Sequence, residues 1–115
     1  MFNIEALQAY GADTQEGLTR CFGNEAFYLK LVKMILDEKS FGNLKDALDN
    51  NDLDKAFEAA HALKGVVANL SLTPIFTPAS EITEHLRARE EMDYAPLLEE
   101  IFAQKEKLEE LINSD

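Results

Sequence analysis

Apolar residues recur at helical spacing along the whole chain, and no stretch shows the period-two alternation of a half-buried strand. Phe27, Leu31 and Ile35 share one helix face, as do Ile75, Ala79, Ile82 and Leu86, and again Leu97, Ile101, Leu108 and Ile112. Capping residues punctuate this pattern. Asn3 opens a short helix that Gly11 ends, and Thr14 precedes a second short helix closed by Gly23. Asn24 starts the longer segment "EAFYLKLVKMILDE", which Gly42 bends before "NLKDALDN" resumes it. Asp52 caps a helix from 53 to about 71, Thr73-Pro74 reads as an N-cap followed by an N1 proline, and Asp93 caps the last helix. Pro78 is in conflict with its surroundings and either kinks the helix or moves its start to Thr77. The expected fold is all-α: an up-down-up-down four-helix bundle over residues 24–113. Short additional N-terminal helices within 1–23 lie across one end, in a single domain spanning 1–115.

The 115 residues suffice for one modest core, and a hydrophobic content of 46% favours folding over disorder. A formal net charge of −11 argues against nucleic acid and anionic membranes, which both require a basic face. Cys21 is the sole cysteine, so neither an internal disulfide nor a cysteine metal cluster is available, and a reducing cytoplasm is the expected location. The opening "MFNIEALQAYG" has no basic n-region, and no apolar run approaches a bilayer's thickness.

One stretch departs from a plain amphipathic helix: "AAHALKGVVANL", residues 59–70. Glycine inside a helix costs about 0.5–1 kcal/mol relative to alanine, yet Gly65 stands there among several alanines. At about 100° per residue, Leu53, Ala56, Phe57, Ala60, Leu63 and Val67 form the core face. His61 falls about 120° from its centre and should reach water. Gly65 and Ala68 continue the histidine's line as a strip almost without side chains. Lys64 lies between that strip and the core edge, where its stem packs while its ammonium reaches the imidazole region. A mostly neutral imidazole is a nucleophile at neutral pH. An anion taken up there would have Lys64 as its cation, and Gly65 would let a large partner approach closely. Separately, an exposed histidine, a helix lysine and a helix glycine are ordinary surface features; their order on one face is what carries the reading.

"AHALKGVVANL" resembles the signature of histidine-containing phosphotransfer (HPt) domains: histidine, lysine at +3, glycine at +4, then small residues. "NEAFYLKLVKMI" resembles the family's preceding bundle helix, and "LKDALDNNDLDKAFEAAHALKG" its run-in to the histidine helix. The following helix, the acidic loop near "REEMD" and the closing helix extend the likeness over nearly all of the chain. The resemblance implies a phosphorelay intermediate: a carrier, not a stand-alone catalyst, that takes a phosphoryl group from a receiver aspartate or a sensor kinase. It then passes the group to a response-regulator receiver. By position, His61 is the phosphoacceptor, Lys64 the residue that steadies the phosphoryl group and Gly65 the clearance residue. Mg²⁺ in that transfer belongs to the receiver, so no cofactor or metal is expected on this chain. Ser71 stands where the family often has glycine, and Val66 and Val67 are bulkier than the residues common there.

The implied partners are response-regulator receiver domains and a hybrid sensor histidine kinase, met by a monomer. Asp54, Glu58 and Ala68 are the candidate docking residues on the histidine helix, with Lys30 or Lys33 as possible additions from the preceding segment. Two other readings compete. A carboxylate-bridged metal bundle would use Glu58-x-x-His61, but Ile82 stands three residues before His85, so no second Glu-x-x-His exists. His85 then reads as a surface residue. A scaffold bundle without phosphoryl chemistry would not need His61 together with Lys64.

Overall fold

The computed structural model describes residues 1–114, and no strand occurs among them. Seven α-helices follow in order: α1 (Ile4–Tyr10), α2 (Thr14–Arg20), α3 (Glu25–Lys33), α4 (Ser40–Asp49), α5 (Leu53–Asn69), α6 (Thr73–Arg87) and α7 (Ala95–Asn113). The up-down-up-down bundle is α4 to α7. Helix α5 packs between α4 and α6, and α6 packs on α7. The bundle closes where the Phe41 ring of α4 meets Phe102 of α7 at a centroid distance of 6.1 Å. Leu44, Ala60, Leu63, Val67, Ile75, Ile82, Leu86, Ile101 and Leu108 are fully buried between these helices.

Side-chain caps begin four helices. The Ala6 amide donates to Asn3 Oδ1 at 2.8 Å, the Phe27 amide to Asn24 Oδ1 at 3.0 Å, and the Lys55 amide to Asp52 Oδ1 at 3.1 Å. Helix α2 differs from expectation: Asp13 is its cap, accepting from the Glu16 amide at 3.1 Å, and Thr14 is the first helical residue. The turn that ends α2 wraps through Phe22 and Gly23, both left-handed, before α3 begins. Leu72 is the cap of α6, with Thr73 and Pro74 inside the first turn, and Tyr94 that of α7. Asp93 still accepts from the Ala95 amide at 3.0 Å.

The long segment starting at Asn24 breaks at Glu38 rather than at Gly42. After α3 a 3-10 turn runs from Met34 to Asp37, and Glu38 is extended with ψ 123°. The Glu38 carboxylate then accepts from the Ser40 amide and hydroxyl at 3.3 and 3.1 Å, which starts α4 afresh and leaves Gly42 inside it. Pro78 does not delay α6, which begins at Thr73 and passes through it. Near a helix start a proline frees only one carbonyl, and the ring here is buried in the core instead of exposed.

The three N-terminal helices close one end of the bundle. The Tyr10 hydroxyl of α1 donates to the Gln104 carbonyl of α7 at 2.9 Å. The buried Tyr28 hydroxyl of α3 donates to the Leu70 carbonyl at 2.8 Å, and the Asp13 amide to the Ser71 carbonyl at 2.9 Å. Burial pushes the Tyr28 phenol up to about 12, so it remains a donor at any physiological pH. Gly17 makes this seat possible, because a Cβ there would lie 2.2 Å from the Tyr28 ring. Gly17→Ala is therefore expected to destabilise the fold by about 1–3 kcal/mol through overpacking, measured as a lowered urea midpoint; an unchanged midpoint would mean that Tyr28 is not seated on α2.

Candidate functional site

The phase of α5 places the site. Ala56, Ala59, Ala60, Leu63 and Val67 are buried, whereas His61 and Gly65 are exposed and Ala68 is half-buried. Phe57 and Leu53, expected in the core, are half-buried at its margin. For Phe57 the reason is its neighbour one turn on. Its ring stacks on the His61 imidazole with centroids 5.7 Å apart and planes 7° from parallel, an offset arrangement favoured by both ring quadrupoles.

The end of α6 completes the surroundings. Arg87 Cζ and Arg89 Cζ lie over the Phe57 ring at 5.0 and 5.1 Å from its centroid. Arg89 Nε donates to Asp54 Oδ1 at 2.7 Å, one turn before Phe57 on α5. Lys64 Nζ is 3.8 Å from Glu84 Oε2, while the other Glu84 oxygen accepts from Arg87 Nε at 3.3 Å. Three of the chain's cations therefore converge on the histidine face of an otherwise acidic protein, each held by a carboxylate at the surface.

Gly65 has nothing within 4 Å of where a Cβ would stand. Its open space faces outward, so packing inside the chain does not require glycine there. The expected docking residues flank the histidine along α5, and two of them border different grooves. Asp54 is engaged by Arg89, Glu58 lines the groove between α4 and α5 with Ser40 and Asn43, and Ala68 borders a groove with Asp13 and Arg20. Lys33 lies over the Phe2 ring at 6.0 Å, and no ion pair or ring contact joins Lys30 or Lys33 to the His61 face among the described residues. His85 sits partly exposed at the surface of α6, with Nδ1 2.8 Å from Glu90 Oε2 and Nε2 3.9 Å from Glu81 Oε1. Among the described residues no group of three or more His, Cys, Asp or Glu side chains could hold a metal ion.

A nucleophilic ring in water, with a cation one turn away and bare backbone beside it, can take up and release an anionic group at the protein surface. The family model of the Hpt domain matches residues 37–114, more than half of the chain and all of α4 to α7. The chain belongs to the Hpt domain family. No curated protein and no solved structure matches it. Hpt domains are phosphocarrier modules of phosphorelay signal transduction that meet receiver domains and histidine kinases. The match begins after α3, so "NEAFYLKLVKMI" lies outside it.

Within this Hpt domain Ser71 adopts φ 56°, a left-handed conformation that glycine takes at less cost. Its hydroxyl compensates by donating to Glu16 Oε1 at 3.1 Å, which ties the α5–α6 turn to α2. Val67 is buried and Val66 half-buried, the latter lining a groove with Leu31 and Met34. Phe57, Glu84, Arg87 and Arg89 were not found from the sequence. The only available signal was Phe57 at i−4 from His61, which helical spacing places on the same face. Gly65→Ala should raise stability by about 0.5–1 kcal/mol, because it removes a helix penalty and meets no neighbour; thermal denaturation checks it, and a destabilised variant would show that the glycine serves packing.

Proposed function

We propose that this Hpt domain carries a phosphoryl group on His61 between receiver domains, accepting it from a receiver aspartate or a sensor kinase and delivering it to a response-regulator receiver. A His61 ring nitrogen attacks the phosphorus of an aspartyl phosphate; the P–N bond forms, the acyl P–O bond breaks, and the aspartate leaves as carboxylate. Delivery is the reverse on another receiver. The single observation that carries this reading is the exposed His61 ring on the α5 face that also holds Lys64 and the open Gly65.

Lys64 is the cation that steadies the added charge. Its present partner, Glu84, is a half-exposed carboxylate at 3.8 Å, and such surface pairs contribute at most about 1 kcal/mol. A phosphoryl group brings close to two negative charges and would draw the ammonium across. Gly65 gives the receiver room to bring its aspartate, and the Mg²⁺ bound beside it, up to the ring. Asp54, Glu58 and Ala68 border the footprint of the incoming domain. Residues 1–115 work as one domain in this reading, since Tyr10 and Tyr28 anchor the N-terminal helices to the bundle. The module acts in the cytoplasm as a monomer and is a carrier, not a stand-alone enzyme. Exposure of His61 favours it over a metal bundle, whose ligands must point inward.

Incubation with a ³²P-labelled phosphoreceiver tests the proposal. Acid-labile label should move onto the wild-type chain and none onto His61→Gln; label retained in that variant, or no transfer from any cognate receiver, would sink it. Lys64→Ala should slow transfer roughly ten- to hundredfold, the worth of one charge-assisted hydrogen bond. Gly65→Ala should slow transfer from the receiver yet leave phosphorylation by the small donor phosphoramidate unchanged. Equal loss with both donors would move the glycine's role from clearance to chemistry.

A further inference from the structure

An exposed histidine on a helix ordinarily samples several rotamers, and only some of them aim a given ring nitrogen at an incoming phosphorus. Here the ring is not free. Phe57 stacks along it nearly parallel, 7° between planes, from one turn earlier on α5. Phe57 is itself covered, with the guanidinium carbons of Arg87 and Arg89 at 5.0 and 5.1 Å from its centroid.

Arg89 is the part of this arrangement that packing alone does not explain. It occupies the turn after α6 with φ 53°, a left-handed position where glycine is the usual residue. The side chain that replaces glycine there is partly exposed and held by hydrogen bonds to two partners. Nε donates to Asp54 Oδ1 at 2.7 Å, and Nη1 donates to the Leu86 carbonyl at 2.5 Å. The end of α6 is thereby fastened to the same face of α5 that carries Phe57 and His61. Asp54, Phe57 and His61 stand on successive turns of that face, and the strained arginine grips the first and covers the second.

From this geometry we infer that Phe57 is a positioning residue for His61, and that Arg87 and Arg89 act through it. The clamp selects one ring orientation before a donor arrives, so that the ordering entropy is not lost during transfer. This rests on His61 being the phosphoacceptor. If one of three χ1 wells and one of two χ2 orientations is productive, the clamp supplies about three- to sixfold in rate.

The test uses phosphoramidate, so that no docking surface enters the measurement. Phe57→Leu keeps apolar bulk but loses the stack, and should be phosphorylated about three- to sixfold more slowly at unchanged helical content. Phe57→Tyr should restore the rate. Arg89→Gly, which suits the left-handed backbone and so should fold, should also be slower. Two-dimensional NMR of the wild type should show NOEs between the His61 and Phe57 ring protons, weakened in Arg89→Gly. Wild-type rates in both Phe57→Leu and Arg89→Gly, or absence of those NOEs, would overturn the clamp. A wild-type protein that phosphoramidate and phosphoreceivers alike leave unlabelled would instead overturn the phosphoacceptor reading beneath it.

Discussion

The alanine-rich inner face of α5 is the constraint on which the rest of this bundle depends. Ala56, Ala59 and Ala60 are buried, and their single methyl groups let α4 and α6 come close on either side. Leu63 and Val67 then fill the centre, against Ile75, Ile82 and Leu86. Once that face is committed, the helical repeat leaves no freedom for the rest of α5. His61 must emerge on the outer side and Gly65 one turn later, while Phe57 and Lys64 fall at the seam with α6. A one-residue change in the phase of α5 would bury the imidazole and expose Leu63, at a cost no surface contact could offset.

From that seam comes the site's electrostatic character. The chain is strongly acidic, yet Lys64, Arg87 and Arg89 gather on one surface and are each matched by a single carboxylate. Such pairs are individually weak in water. Their effect is to hold three long side chains in place without neutralising them permanently, so that a more highly charged anion arriving at His61 would find cations already near. Glu84 serves two of them at once, with 3.8 Å to Lys64 and 3.3 Å to Arg87. The looser of the two contacts is the one nearer the histidine in sequence.

Much of this was legible in the sequence because local rules decided it. The all-helical architecture, the caps at Asn3, Asn24 and Asp52, and the outward phase of His61 and Gly65 follow from spacing and from side-chain oxygens placed before helices. Misplaced features were those that a second element decides. Gly42 looked like the breaker, but the Glu38 carboxylate reaching Ser40 started a new helix earlier. Pro78 looked like an obstacle, but its place near the start of α6 and its buried ring made it harmless. Phe57 looked like core because a wheel cannot show that two arginines from the end of α6 fold back onto it. Arg89 gave no warning at all, since nothing in an Ala-Arg-Glu sequence marks a left-handed turn.

The left-handed non-glycine residues of this domain each stand just after a helix: Phe22 after α2, Asn51 after α4, Ser71 after α5 and Arg89 after α6. Gly65 weakens the helix where no neighbour needs the space, Ser71 takes a left-handed turn immediately after α5, and Arg89 takes another immediately after α6. Each costs on the order of 1 kcal/mol or somewhat more, in a fold whose total margin is typically only 5–15 kcal/mol. Substitutions relieving such positions are readily available to a protein under selection for stability alone. Ser71 is accounted for by its bond to Glu16, which seats the N-terminal helices. Arg89 is accounted for by its bonds to Asp54 and the Leu86 carbonyl, which fasten the end of α6 to α5, whereas Gly65 leaves a gap facing water. A gap left open beside the exposed His61 ring is what the proposed docking would use, since no packing inside the chain requires it.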